Sequence, residues 1–239
     1  TAEERDVIDA YLLKGGRAAW IFTAGTPAME RLYGYLSEWG ITPNSDFAYE
    51  GDSSKAMRSN MGVPVPSPTL QKHTITEKLQ QSDIPFAAPV SCSFTLNENN
   101  LQHTYVTSLL ETSKNSWGIT DLHTQKAEGD ISGPLSLSAI SEKSDGTGGS
   151  VLVLGSLQAV ETDGILEESS YCNGDFVLNA FSYMTQKGDS LNIRAKIISA
   201  ERLTMTEMQV KVISIVLQYV LPILILAAGL LVWLRRRDL

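Results

Sequence analysis

The sequence predicts an α/β domain, a mostly parallel sheet with flanking helices, followed by a C-terminal transmembrane helix. Three observations predict it. Helical and extended segments alternate from the start of the chain in the order helix, strand, helix, strand, the pattern of a sheet covered by helices. The run VLVLGS at 151–156 is the most apolar stretch outside the tail, as a central parallel strand buried on both faces requires. Finally, Val212 to Leu234 holds no charged residue, and its polar side chains are Ser214, Gln218 and Tyr219. At about 1.5 Å per residue that run covers the roughly 30 Å hydrocarbon layer of a bilayer.

The first helix is read from TAEERDVIDAYLLKGG: Thr1 with Glu4 three places on is a helix start, Val7, Ile8, Tyr11 and Leu12 form a stripe, and Gly15 and Gly16 end it. RAAWIF reads as a short buried strand. In TPAMERLYGYLSEWGI, Thr26 caps a second helix and Pro27 occupies its first turn. Met29, Leu32, Tyr33 and Leu36 make its buried face and Gly40 stops it. DFAYE is a second strand. Residues 51–70 are rich in Gly, Ser and Pro and read as a long loop, a length that in a compact domain points to function or mobility. TITEKLQQSDI gives a short helix and PFAAPVSCSF an extended segment. TYVTSLLETS and GPLSLSAIS are strands, and EKSDGTGGS links the latter to VLVLGS. NGDFVLNAFSYMTQ is a helix capped by Asn173, with Phe176, Val177, Ala180, Phe181 and Met184 on one side. LNIRAKII reads as an edge strand leading into an amphipathic connector. No internal repeat is evident.

In the tail, nothing polar follows Tyr219 until Arg235. Pro222 is tolerated in a membrane helix, where neighbours satisfy the freed carbonyl. Trp233 suits an interfacial position, and Arg235, Arg236 and Arg237 form a stop-transfer cluster. On the other flank the nearest basic residue is Lys211, with Glu201 and Glu207 nearby. The arginines are therefore expected in the cytoplasm of a cell-membrane protein, and the main domain outside it. Placement outside requires an upstream export signal, and the sequence starts without Met, so the domain is expected to be incomplete at its N-terminus.

Residues 1–211 carry 16 basic and 26 acidic side chains, a net of −10. That balance disfavours binding to nucleic acid or anionic lipid through bulk charge. Cys92 and Cys172 belong to no metal-type spacing; one disulfide and two buried thiols are both open.

Catalytic patterns are weak. Gly146, Gly148 and Gly149 precede a strand, whereas a phosphate-cradling loop follows one and opens a helix. Ser156 lacks the setting of a nucleophile elbow and reads as a turn residue. His73, His103 and His123 make no zinc-type unit, and the adjacent Glu167 and Glu168 suit a solvated loop better than an acid and base pair. No cofactor or metal site follows from these residues. Trp117, after a strand end, is a candidate partner contact, whereas Trp20 and Trp39 sit at core positions.

The order of YLLKGGRAAWIF, EWGI, the Pro-rich loop, KHTITEKL, LLETSKNSWG, VLVLGS, NGDFVLNAFSYM and LPILILAAGLLVWLRRR resembles the auxiliary subunits of ABC-2-type transport systems, the gliding-motility GldG-like family. The similarity runs over most of the chain. It implies an extracytoplasmic α/β domain at 1–200, a juxtamembrane connector at 201–211, a transmembrane helix at 212–234 and a cytoplasmic tail at 235–239. The implied role is that of a non-catalytic accessory subunit, partnered by an ATPase and a permease, with no catalytic residue to carry over. Ala227, Ala228 and Gly229 would give the span a small-residue face for a permease helix. The competing expectations are a free-standing, membrane-anchored module that binds a ligand at the carboxyl ends of its parallel strands near WIFTAG and VLVLGS, and a membrane-bound hydrolase using Ser156 or the Glu167 region.

Overall fold

The computed structural model describes residues 2–58, 64–120, 126–143, 148–161, 165–166, 170–186 and 214–237. Contacts divide the chain into one unit of Thr1–Ala195 and another of Lys196–Leu239.

In the first unit, α1 (Ala2–Leu13) ends where Gly15 turns left-handed at φ 88°. The Gly16 N–H then reaches the Tyr11 carbonyl at 2.9 Å and the Gly15 N–H that of Leu12 at 3.0 Å, a Schellman stop that turns the chain into β1 (Arg17–Ile21). Next come α2 (Glu30–Glu38), β2 (Ile41–Pro43) and β3 (Phe47–Tyr49). The 51–70 stretch is not simply a loop: β4 (Ala56–Arg58) pairs with β5 (Pro64–Pro66), and β6 (Thr69–Leu70) joins the main sheet. One helical turn, α3 (Glu77–Gln80), precedes β7 (Phe94–Leu96) and the long β8 (Thr104–Glu111). β9 (Trp117–Ile119), β10 (Ile131–Ser132), β11 (Ser136–Lys143), β12 (Ser150–Leu154), a 3₁₀ turn at Gln158–Val160 and α4 (Asn173–Met184) complete the unit.

Seven strands form a branched sheet. It runs β1–β12–β11, then splits, because β11 pairs with β8 along most of its length and with β7 at Ser136. β6 extends the β8 branch and β2 the β7 branch. The expectation of a mostly parallel sheet is corrected here: β1 with β12 is parallel, and the other described pairs are antiparallel. The physical reason is the connection between β11 and β12, too short for a helical crossover, which makes them neighbours in a hairpin sense. Small side sheets join β10, β9 and β3, and β4 with β5.

Both faces of the sheet are covered. β12 sends Val151 and Val153 into a cluster with Leu12 of α1 and Tyr35, Leu36 and Trp39 of the α2 region. Its Leu152 and Leu154 enter another cluster with Leu79, Phe176, Ala180 and Met184. This two-sided burial is what VLVLGS predicted. Cys92 and Cys172 fall in opposite clusters and are free, buried thiols. Burial pushes both up to about 12, so neither is a thiolate at neutral pH.

Several local expectations are corrected. Val7 and Tyr11 face solvent, and in α1 Leu12 is the residue fully buried. α2 starts at Glu30, and the Thr26 hydroxyl donates to the Thr23 carbonyl instead of capping it. Phe181 is exposed on α4. Trp39 is core as expected. The expected edge strand at 191–198 and connector at 201–211 lie outside the described residues.

In the second unit the predicted 212–234 helix is interrupted. Val216–Val220 forms a π turn, followed by α5 (Leu221–Arg237). Pro222 explains the break: it has no N–H to give the carbonyl four residues back, and its ring crowds that carbonyl, that of Gln218 inside the π turn. Among the described residues, no helix is long and apolar enough to cross a membrane.

Candidate functional site

The crevice expected at the carboxyl ends of β1 and β12 is closed by the chain itself. Beyond β1, the Ala24 N–H and Thr23 hydroxyl both donate to the Val90 carbonyl, at 3.1 and 3.2 Å. Beyond β12, Gly155 accepts the Cys92 N–H at 2.8 Å. Ser156, fully buried, donates its hydroxyl to the Pro89 carbonyl and receives the Ala159 N–H. Ser156 is thus a turn anchor that pins residues 89–92 across the strand ends.

A cleft opens elsewhere, where the sheet divides. It has a volume of about 370 Å³; Asn44, Ser93, Thr95, Ser108, Glu111, Ser132 and Ser136 give it polar groups, and Phe94, Leu96, Ile131, Pro134 and Leu135 make the rest of its lining apolar. The β-bulge in β11 between Ser136 and Ala139 makes room for it by letting β7 and β8 diverge from one strand. Behind it lies Asp46, 1 % exposed. Its carboxylate accepts the Ser93 N–H at 2.8 Å and the Ser93 hydroxyl at 2.7 Å. Burial raises the Asp46 pKa above its ordinary 3.8 against the pull of those two donors. A second buried carboxylate, Glu50, accepts the Asp52 and Ser113 N–H groups, each at 2.9 Å, and the Ser113 hydroxyl. The two acids thereby tie both ends of β3 to neighbouring loops.

His73 joins a different cluster. Its Nδ1 accepts the Ile75 N–H at 3.2 Å, so the proton of the neutral ring sits on Nε2, 3.5 Å from Glu142 Oε2. Tyr183 donates to Glu142 Oε1 at 2.8 Å, and Arg17 donates to the Tyr183 and Met184 carbonyls at 2.9 and 3.1 Å. Burial works to raise the Glu142 pKa, but the hydrogen bonds from His73 and Tyr183 and the charge of Arg17 outweigh it and hold the group below its ordinary 4.5. Burial, with the Glu142 contact, pushes the Tyr183 phenol up to about 12. A depressed folded-state pKa means that ionised Glu142 stabilises the fold above 4.5, and that this contribution disappears as the pH falls through 4.5 toward the folded value. Glu142→Gln should accordingly be less stable than the parent at neutral pH, with the gap closing in acid; urea midpoints across that range measure it. Asp46 shifts the other way, but is common to both proteins and cancels.

Trp117 stacks on Tyr49 at 4.5 Å between centroids, half-buried, and its indole N–H is enclosed without an acceptor among the described residues. Asn173 does not cap α4. It is the first residue of that helix, and its amide binds Ala87 and Ala159. His103 lies in a turn at φ 52°. His123, Glu167, Glu168 and Gly146 lie outside the described residues. In α5, Trp233 and Arg235 are exposed, and a Cβ at Gly229 would meet nothing within 4 Å. Pro222 is the second residue of that helix, and Ala227, Ala228, Arg236 and Arg237 also belong to it. No group of three or more His, Cys, Asp or Glu able to hold a metal occurs among the described residues. The cleft was missed from sequence because its lining comes from four separate segments; the available signal was the density of hydroxyls in SCSFT and SLSAIS.

No protein-family model matches the chain, and no curated protein matches it. A solved structure described as "mmIFT52 N-terminal domain" aligns with 77 % of this chain and 72 % of that one, with a TM-score of 0.54 and 18 % identity. That likeness shows the fold alone.

Proposed function

We propose that the chain is a non-catalytic, membrane-anchored accessory subunit of an ABC-2-type transport system, with its α/β domain outside the cytoplasm and Arg235, Arg236 and Arg237 inside. The order of motifs that resembles the GldG-like subunits supports this reading, and one structural observation carries it. Apolar side chains stand exposed around the C-terminal helix: Leu217, Tyr219, Leu221, Ile223, Leu224, Ile225 and, at 73 %, Leu226. A helix apolar on all sides needs lipid or other helices around it. Although α5 alone is short, Leu221 keeps helical angles of −64° and −47° after the π turn. The π turn and α5 thus follow one another, and their uncharged part, Val216–Leu234, is 19 residues, roughly 28 Å at the usual rise.

The deciding experiment is recovery of the tagged full-length protein from its native membrane in mild detergent, read by mass spectrometry. An ATPase and a multi-span permease in stable proportion are expected. Recovery of the protein alone, under conditions that keep other transporters intact, would favour the free-standing ligand-binding module, for which the cleft at the sheet division is the specific observation. Gly229→Leu probes the expected close approach of a permease helix at Gly229. Open space at Gly229 accommodates the new side chain within this chain, so membrane insertion should be unchanged while permease recovery falls several-fold. Undiminished recovery would remove Gly229 from the interface.

A further inference from the structure

The geometry points to the cleft at the sheet division as a binding site for a small organic cation rich in N–H donors, a primary ammonium compound. The inference stands apart from the accessory-subunit reading and rests on the direction of the hydrogen bonds in the cleft wall. Ser93 gives its one hydroxyl hydrogen to Asp46, so its oxygen accepts from the Asn44 Nδ2 at 2.9 Å. That fixes the amide, and the Asn44 Oδ1 takes the Thr95 hydroxyl hydrogen at 3.1 Å. The opposite wall behaves alike. Ser108 and Ser136 share one hydrogen across 2.8 Å, and the other goes to the Leu110 or the Ser138 carbonyl, at 3.4 and 3.2 Å. Their hydrogens, and that of Thr95, are therefore used inside the wall, and what these hydroxyls offer a ligand is lone pairs.

Glu111 adds the charge. It lines the cleft half-buried, and among the described residues its carboxylate has neither ion pair nor hydrogen bond. An anion would meet this carboxylate directly, with the second Asn44 amide N–H and the Ser132 hydroxyl as the donors left to it. A quaternary ammonium would satisfy the charge but leave the lone pairs unmet, and a neutral polyol the reverse. A primary ammonium supplies one positive charge and three donors. The volume of about 370 Å³ lies at the small end of ligand sites, which run from roughly 300 Å³ upward. Lys126 sits at the rim, its Nζ 3.0 Å from the Ser132 hydroxyl; it is the competing cation, and its removal should leave binding intact or tighten it.

The test titrates the full-length chain in detergent micelles with 1,4-diaminobutane, by calorimetry and ligand-observed NMR, beside tetramethylammonium and xylitol. Saturable binding of the diamine is expected, with both comparison compounds much weaker. Glu111→Gln should weaken diamine binding about tenfold or more, the worth of a charged hydrogen bond, without changing the unfolding curve, and Lys126→Ala should retain it. Thr95→Val, on the exposed wall, should weaken it by a smaller factor and guards against a folding defect in the first variant. Absence of saturable diamine binding, undiminished binding by Glu111→Gln, or equal binding of tetramethylammonium or xylitol would each overturn the assignment.

Discussion

Gly155→Ala should destabilise the domain by about 3 kcal/mol or more, seen as a fall in the urea midpoint with little change in slope. A Cβ at this position would overlap the Cys92 carbonyl oxygen, and would lie 3.1 Å from its carbon and 3.2 Å from the Leu137 carbonyl oxygen. All three are backbone atoms, so no side-chain rotation relieves the overlap. Nor can the residue slide away, because its own N–H is bound to Leu137 and its carbonyl to Cys92, each at 2.8 Å. The chain must shift residues 89–92 off the ends of β1 and β12 or surrender those bonds in the interior, and either course costs a large fraction of a small domain's stability. The control is Gly34→Ala in α2, where an added Cβ meets nothing within 4 Å. Higher helix propensity should there stabilise by about 0.5–1 kcal/mol. Equal effects from the two substitutions would show that packing at Gly155 is not what constrains it.

Gly155 also marks where sequence reasoning stops. Its position after an apolar strand was legible, because VLVL needs two covered faces and the flanking helices supply them. The partner crossing above it was not, since Cys92 is 63 residues away and nothing local links them. The same distinction runs through the fold. Long elements with a strong period, β8, β11, β12 and α4, were legible in place and type. β2 and β9, three residues each, are too short to show alternation, and the sheet's mixed direction depends on which strands meet, a property of no single segment. Solvation misled in α1, where Val7 and Tyr11 occupy stripe positions but lie outside the packed contact made by Leu12. In the tail, the apolar run was plain, while Pro222 redirected the helix bonding locally. The cleft was least legible of all: Ser, Thr and Asn in strands are ordinary, and only the paired directions of their hydrogen bonds give the wall its acceptor character.

Asn173→Ala should cost about 3–5 kcal/mol, well beyond the roughly 0.5–2 kcal/mol of a lost helix cap. Asn173 is 0 % exposed. Its Oδ1 accepts the Ala87 N–H at 2.9 Å, and its Nδ2 donates to the Ala87 carbonyl at 2.9 Å and the Ala159 carbonyl at 3.0 Å. One amide therefore satisfies both backbone groups of Ala87, as a neighbouring strand would, and ties them to the 3₁₀ turn. The Cys172 N–H meets the Pro85 carbonyl at 3.0 Å beside it, so the start of α4 holds residues 85–87 by three bonds. Truncation leaves buried donors and acceptors unpaired. The substitution series separates a clamp from a cap. Asp and Ser are good caps, yet Asn173→Asp would press a carboxylate against two carbonyl oxygens, and the shorter hydroxyl of Asn173→Ser would reach neither. A clamp therefore ranks Asn173→Asp as the most damaging of the three, whereas a cap ranks it nearly neutral. Urea unfolding of the Ala, Ser and Asp variants reads the order directly, and a near-neutral Asp variant would return Asn173 to the capping role its sequence context suggests.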